Sequence, residues 1–135
     1  MLVDTVREQA SSAVYDAGLP AESLLLGGRS MGGRMCSMAL AAGLAAAGLV
    51  LISYPLHPPG KPERLRVEHC PALTVPCLFV SGTRDEFGSS AELIAATGSI
   101  EGEVTHVWIE DGRHELSRSR DRRDVIEAVL SWLRS

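Results

Sequence analysis

Apolar residues recur along this chain in two patterns, one with the spacing of a helix face and one as short continuous runs. Near the amino terminus they occupy positions 3, 6, 10, 13, 14 and 17, which share one side of a helix, and Gly-Leu-Pro then ends it. Short apolar runs between turn residues are typical of buried strands. The two patterns predict helices over residues 3–17, 31–47, 90–97 and 121–133, and strands over residues 24–26, 49–54, 75–81 and 104–109.

The alternation of strands with helices predicts an α/β fold of about four parallel strands with helices on both faces. Ser89 and Glu92 have the spacing of a capping box, and Asp121 is predicted to cap the last helix. The chain has 135 residues, of which 45% are hydrophobic and 22% are charged. This composition predicts one globular domain over residues 1–135.

Candidate chemistry begins at Ser30, which lies in Gly-Arg-Ser-Met-Gly between the first strand and the second helix. In a nucleophile elbow, a strained turn lifts the serine hydroxyl above the sheet, and flanking glycines such as Gly28 and Gly32 leave room for that turn. We expect Ser30 also to cap the helix, and the Met31 N–H to face a developing oxyanion. Because such a motif also occurs in ordinary turns, the interpretation depends on the strand before it and the helix after it.

Asp85 and His114 each follow a later strand, at the edge of an open sheet where ligands bind. The order of serine, aspartate and histidine is that of α/β-hydrolases. His114 is predicted to accept the Ser30 proton, and Asp85 to fix the tautomer and stabilise the imidazolium. Asp111 and Glu86 are rival acids that rank below Asp85. The alternative interpretation of Asp85 is a turn residue, and that of His114 is a solvated loop histidine.

Four segments of the chain form a set: G-G-R-S-M-G-G at residues 27–33, Y-P-L-H-P-P-G-K-P at 54–62, G-T-R-D-E-F-G at 82–88 and D-G-R-H at 111–114. This set resembles the dienelactone-hydrolase-like group of small α/β-hydrolases. The resemblance implies that Ser30, Asp85 and His114 match the nucleophile, acid and base, although dienelactone hydrolases themselves carry a cysteine nucleophile. It also implies a truncated α/β-hydrolase fold, the carboxyl-terminal half, without the loop that supplies a second oxyanion donor.

The predicted function is hydrolysis of a small-molecule ester, thioester or related acyl substrate through an acyl-enzyme, with no cofactor. Arg29, Tyr54 and His57 are predicted to bind the substrate. Arg29 and Arg84 would contact an anionic group, although structural ion pairs are the stronger expectation for these arginines. The resemblance extends to subunits of chromatin-modifying assemblies. The alternative function is therefore a non-catalytic module that binds a partner protein.

Charge and cysteine content limit the other partners. The net charge of −4 and the absence of a sustained basic stripe predict no nucleic-acid partner. The histidines and cysteines lack metal-ligand spacing. Three unevenly spaced cysteines without a signal-peptide pattern predict free thiols and a cytoplasmic protein, and the apolar stretch 38–52 is too short for a membrane span. The bare edge of the elbow strand predicts a homo-oligomer or a partner chain.

Overall fold

Four parallel strands form one sheet in the order β1-β2-β3-β4 in a computed structural model that describes residues 3–135. The strands are β1 (Leu25–Arg29), β2 (Gly48–Ile52), β3 (Cys77–Gly82) and β4 (Val104–Ile109). The helices are α1 (Val3–Ala17), α2 (Met31–Ala41), α3 (Ser90–Ala96) and α4 (Ser119–Leu133). The predicted α/β class and the parallel sheet are confirmed.

Side chains that alternate along the strands form two separate buried clusters, one on each face of the sheet. Leu49, Leu51 and Phe79 pack on one face with residues of α1, α2 and α3, whereas Val50 and Val80 pack on the other face with α4. Strands added in one direction by right-handed crossovers place consecutive connecting helices on the same face, which agrees with the positions of α2 and α3. The prediction of helices on both faces is therefore confirmed.

Two helix ends differ from the sequence-based expectation. Helix α2 ends at Ala41 instead of residue 47 because Gly43 adopts a φ of 109°, which ends the helix even though alanines continue beyond it. Helix α4 begins earlier than expected, with Arg118 at its N-cap. Asp121 lies in the first turn and accepts the Arg118 N–H at 3.1 Å. The prediction of Asp121 as the N-cap is therefore wrong, whereas the capping box of Ser89 and Glu92 is confirmed.

Strand β1 lies at an edge of the sheet, as the sequence predicted. The Ser30 N–H donates to the Ile52 carbonyl at 2.8 Å, so the even-numbered residues of β1 direct their backbone groups towards β2. The backbone groups of Leu25, Gly27 and Arg29 consequently point outwards, and all three residues are exposed. Within residues 3–135, no helix has the length and apolarity needed to cross a membrane. The three cysteines are free and buried.

Candidate active site

Ser30 forms the turn between β1 and α2 with a φ of 53° and a ψ of −126°, a conformation that residues other than glycine rarely adopt. The strand and the helix approach closely at this turn, because a Cβ on Gly28 would lie 2.5 Å from the Gly33 nitrogen. A Cβ on Gly32 would instead meet no atom within 4 Å. The close approach therefore requires Gly28, as predicted, and Gly33, whereas the room that was predicted to be needed at Gly32 is not used.

The Ser30 hydroxyl is directed away from the helix that it precedes. Ser30 occupies the N-cap position of α2, but its side chain makes no capping hydrogen bond. A capping serine needs an extended backbone, which the positive φ of Ser30 excludes. The Oγ atom lies instead 2.8 Å from Nε2 of His114. The capping prediction is wrong for this reason, and the hydroxyl is directed towards the predicted base.

His114 bridges Ser30 and Asp85. Its Nδ1 lies 2.9 Å from Oδ2 and 3.1 Å from Oδ1 of Asp85. The Phe87 ring packs on the imidazole with ring centroids 4.1 Å apart, and the Phe87 N–H donates to Asp85 Oδ1 at 2.8 Å. The Asp85 side chain is 2% exposed and that of His114 is 12% exposed. The Asp85 carboxylate is thus shielded from solvent, whereas the His114 imidazole remains partly exposed to solvent.

The hydrogen-bond network assigns the proton positions along this chain of side chains. An ionised carboxylate only accepts hydrogen bonds, so Nδ1 of the imidazole carries the proton that Asp85 accepts. Nε2 of the neutral ring then accepts from the Ser30 hydroxyl, which is the arrangement that a general base needs. The rival acids lie elsewhere, because Asp111 pairs with Arg84 at 3.3 Å and Glu86 is exposed.

The residues on either side of Ser30 offer positive electrostatic potential. Met31 is the first residue of α2, so its N–H has no acceptor within the helix, and a helix amino terminus attracts negative charge. The exposed side chain of Arg29 donates from Nη2 to the Glu115 carbonyl. Arg29 forms no ion pair with any carboxylate among residues 3–135. The expectation of a structural ion pair thus holds for Arg84 and not for Arg29.

Tyr54 and His57, which were predicted to bind substrate, lie in the interior of the fold. Tyr54 is 2% exposed, its hydroxyl donates to the Arg66 carbonyl at 2.6 Å, and burial raises its pKa to about 12. His57 is bonded through Nδ1 to the Pro58 carbonyl and through Nε2 to Glu92. Burial lowers the pKa of His57, but these two bonds and the negative charges of Glu92 and Glu63 together outweigh burial, and the pKa is raised. The polar side-chain atoms of both residues are therefore satisfied within the fold, and their binding of substrate stays a prediction.

A second serine–histidine pair joins Ser37, within α2, to His69. Ser37 Oγ is 2.8 Å from His69 Nε2, but Ser37 is fully buried and its hydroxyl donates to the Arg34 carbonyl at 2.7 Å. Burial, followed by the positive charge of Arg34, lowers the pKa of His69. His69 is paired with no carboxylate in the described part of the chain. This pair therefore lacks both an accessible hydroxyl and an orienting acid.

The whole length of the fold matches a known family. The sequence profile of a family described as an alpha/beta hydrolase domain matches residues 1–131. The chain belongs to this alpha/beta hydrolase family. The turn at Ser30 and the parallel sheet behind it are consistent with that membership.

Solved hydrolase structures share the fold of this alpha/beta hydrolase at low sequence identity. The esterase domain of a Rhodothermus marinus protein is 15% identical, with a TM-score of 0.78 over 99% of this chain and 69% of its own. A thermophilic esterase from Thermogutta terrifontis is 19% identical, with a TM-score of 0.74 over 99% of this chain and 72% of its own. An alpha-beta serine hydrolase homologue from Coxiella burnetii is 17% identical, with a TM-score of 0.73 over 96% of this chain. This alpha/beta hydrolase spans 57% of the length of the Coxiella chain.

Sequence reasoning missed two residues that contact His114 in this alpha/beta hydrolase. Phe87 lies within the segment at residues 82–88, so its signal was present, but no role was assigned to it. Ser53 gave no signal, because the predicted strand over residues 49–54 ran through it. In the structure β2 ends at Ile52, and Ser53 donates from Oγ to the His114 carbonyl at 2.7 Å. Among residues 3–135, no group of three or more histidine, cysteine, aspartate or glutamate side chains is arranged to hold a metal ion.

Proposed function

We propose that this alpha/beta hydrolase is a serine hydrolase that cleaves an ester, thioester or related acyl substrate. The observation that supports the proposal most strongly is the continuous hydrogen-bonded chain from Ser30 Oγ through His114 to Asp85, with distances of 2.8 and 2.9 Å. A serine hydroxyl is a weak nucleophile unless a neighbouring base accepts its proton. This geometry supplies the base and the acid that orients it.

In the proposed reaction, Ser30 Oγ attacks the acyl carbon while His114 Nε2 takes the hydroxyl proton. The carbonyl electron pair moves to the oxygen, which faces the Met31 N–H, and Asp85 stabilises the imidazolium. Collapse of the tetrahedral intermediate breaks the bond to the leaving alcohol or thiol, which receives the proton from His114. Water then attacks the acyl-enzyme in the same way, releasing the acid and restoring Ser30.

The Met31 N–H is the one oxyanion donor that we assign within residues 3–135. Loss of a single oxyanion donor typically slows turnover about 100- to 1,000-fold. We therefore expect slow turnover with ordinary esters from the chain alone. Covalent labelling of Ser30 is a better first readout than turnover, because it needs an activated nucleophile and a single event.

The test is labelling with a fluorophosphonate probe, followed by peptide mapping to locate the adduct. We expect Ser30 to be labelled in the wild type, and labelling to be lost in Ser30→Ala and His114→Ala. Ser37→Ala is the matched control, since Ser37 lies within the helix that Ser30 precedes and is also bonded to a histidine. A folded wild-type protein that the probe does not label would contradict the hydrolase proposal.

The surface beside Ser30 supports a proposal for the substrate. An open groove of about 330 Å³ has four apolar and three charged lining residues: Ile52, Leu116, Val125 and Ile126, with Arg29, Glu115 and Arg122. Arg29 and Glu115 in this lining are the chain neighbours of Ser30 and His114, so the groove lies beside the segments that carry the two reacting side chains. We propose that the groove takes a small apolar acyl group and that Arg29 favours substrates with an anionic substituent.

The open edge of β1 favours a second candidate function, association with another chain. The outward backbone groups of Leu25, Gly27 and Arg29 can pair with a further strand, and the Leu25 side chain is 43% exposed. We propose a homo-oligomer or a complex with a partner polypeptide through this edge. Light scattering at micromolar concentration tests self-association: a mass of two chains would support it, and a clean monomer would count against it.

A further inference from the structure

Ser53 is a buried serine with an unusual backbone, located directly after β2. It is 0% exposed and adopts a φ of 55°. Residues other than glycine are strained in this left-handed region and persist there only where the surrounding structure holds them. The Ser53 N–H donates to the Val80 carbonyl at 2.8 Å, which extends the pairing of β2 with β3 by one residue and fixes this conformation.

The hydroxyl of Ser53 holds the main chain of the proposed base. Ser53 Oγ donates to the His114 carbonyl at 2.7 Å. His114 lies between β4 and α4 in a segment without regular secondary structure, so no strand pairing fixes its position. Two other bonds hold this segment near the sheet: the Arg29 side chain of β1 donates to the Glu115 carbonyl, and the Arg84 N–H, just after β3, donates to the Gly112 carbonyl at 2.8 Å. Ser53 is thus the residue whose side chain bonds the backbone of His114 itself.

The residue type at this position supports a role for the hydroxyl. Glycine would adopt a φ of 55° without strain, but it would leave the His114 carbonyl without this donor. Alanine would keep the strain and also lose the donor. A strained serine is favoured where the hydroxyl itself is needed, since strained residues concentrate at functional sites.

We propose that Ser53 is a positioning residue that fixes His114 between Ser30 and Asp85. This inference rests on the proposed hydrolase function. Asp85 and Phe87 hold the imidazole ring, whereas Ser53 holds the backbone from which the ring extends. Without the Ser53 hydroxyl, the His114 carbonyl loses this donor, and we expect Nε2 to shift relative to Ser30 Oγ.

The test compares Ser53→Ala and Ser53→Gly with Ser81→Ala. Ser81 is the matched control, because it is equally buried near the end of β3 and its hydroxyl has no partner among residues 3–135. We expect both Ser53 variants to slow fluorophosphonate labelling about 10- to 100-fold, as small misplacements of reacting groups do. Ser81→Ala should label at the wild-type rate. If Ser53→Ala does not fold, Ser53→Gly gives the same comparison, since glycine relieves the strain.

A second readout separates this inference from the hydrolase proposal. The imidazole resonances of His114 are followed by NMR, with those of His57, His69 and His106 as internal references. Ser53→Ala and Ser53→Gly should shift or broaden the His114 Nδ1–H signal and leave the three references unchanged. If the wild type is not labelled but this signal changes, the hydrolase proposal fails and the positioning of His114 stands. Unchanged labelling together with an unchanged His114 signal in the folded variants would overturn the role of Ser53.

Discussion

Gly82→Ala tests whether the ends of β3 and β4 must lie in contact for the site to assemble. A Cβ on Gly82 would lie 2.9 Å from the Gly112 Cα and still closer to the Gly112 carbonyl. Because non-bonded carbon atoms pack at about 3.5 to 4.0 Å, the two segments must separate by roughly 1 Å. The obstacle is backbone on both sides, so a side-chain rotation cannot relieve it.

The separation acts on hydrogen bonds that join the acid and histidine segments. The Arg84 N–H donates to the Gly112 carbonyl at 2.8 Å, and the Asp111 N–H donates to Thr83 Oγ1 at 2.9 Å. Overpacking typically costs about 1 to 3 kcal/mol, which lowers the Tm of a domain of this size by roughly 4 °C per kcal/mol. A 1 Å displacement of reacting groups costs about 100-fold in rate. We expect the Ser30 labelling rate of the folded variant to fall by about this factor.

The assay is fluorophosphonate labelling of Ser30 below the Tm of the variant, together with thermal unfolding. Gly98→Ala is the matched control, since a Cβ there meets no atom within 4 Å and its φ lies outside the left-handed region. The control should retain both its labelling rate and its Tm. A Gly82→Ala protein that unfolds and labels like the wild type would refute the reasoning.

Three further predictions concern pH and substrate. Burial lowers the pKa of His106 below its ordinary value, so the unfolded chain binds the proton more tightly and the stability of the fold decreases as the pH drops below about 6.5. His106→Phe should reduce this loss of stability, measured by urea titrations at pH 7 and 5.5. An equally steep loss in the variant would contradict the prediction. The hydrogen bond from Arg118 lowers the pKa of Asp121, so the stabilisation of the fold by this pair is present at neutral pH and lost in acid. Arg118→Ala should lower the Tm at pH 7, and the difference in Tm from the wild type should narrow below about pH 4. A difference in Tm that does not depend on pH would argue against stabilisation by the pair. Arg29→Gln should raise KM for anionic esters more than for neutral ones if Arg29 binds the anionic substituent, and equal changes in KM would exclude that role.

Local sequence patterns predicted the features that depend on neighbouring residues. The strand and helix periodicities located every strand of the sheet, and they placed Ser30, Asp85 and His114 just after β1, β3 and β4, at one edge of the sheet. The features that depend on tertiary contacts were not predictable in this way. Alanine periodicity continued past Gly43, where a positive φ ends α2. Tyr54 was predicted to bind substrate, but it is buried in the structure. The proline-rich segment that it begins has no regular hydrophobic pattern from which its burial could be judged.

The two serine–histidine pairs, with Ser30 at the start of α2 and Ser37 within it, show which features beyond proximity make a candidate nucleophile. Both pairs have an oxygen–nitrogen distance of 2.8 Å, so distance does not distinguish them. Ser37 lies within the helix and donates to the Arg34 carbonyl, whereas the strained turn of Ser30 frees its hydroxyl from the helix backbone. His114 is bonded to a shielded carboxylate and His69 is not. If proximity alone activated a serine, Ser37 would also react with a probe small enough to reach it; selective labelling of Ser30 would show that strain and the orienting acid create the nucleophile.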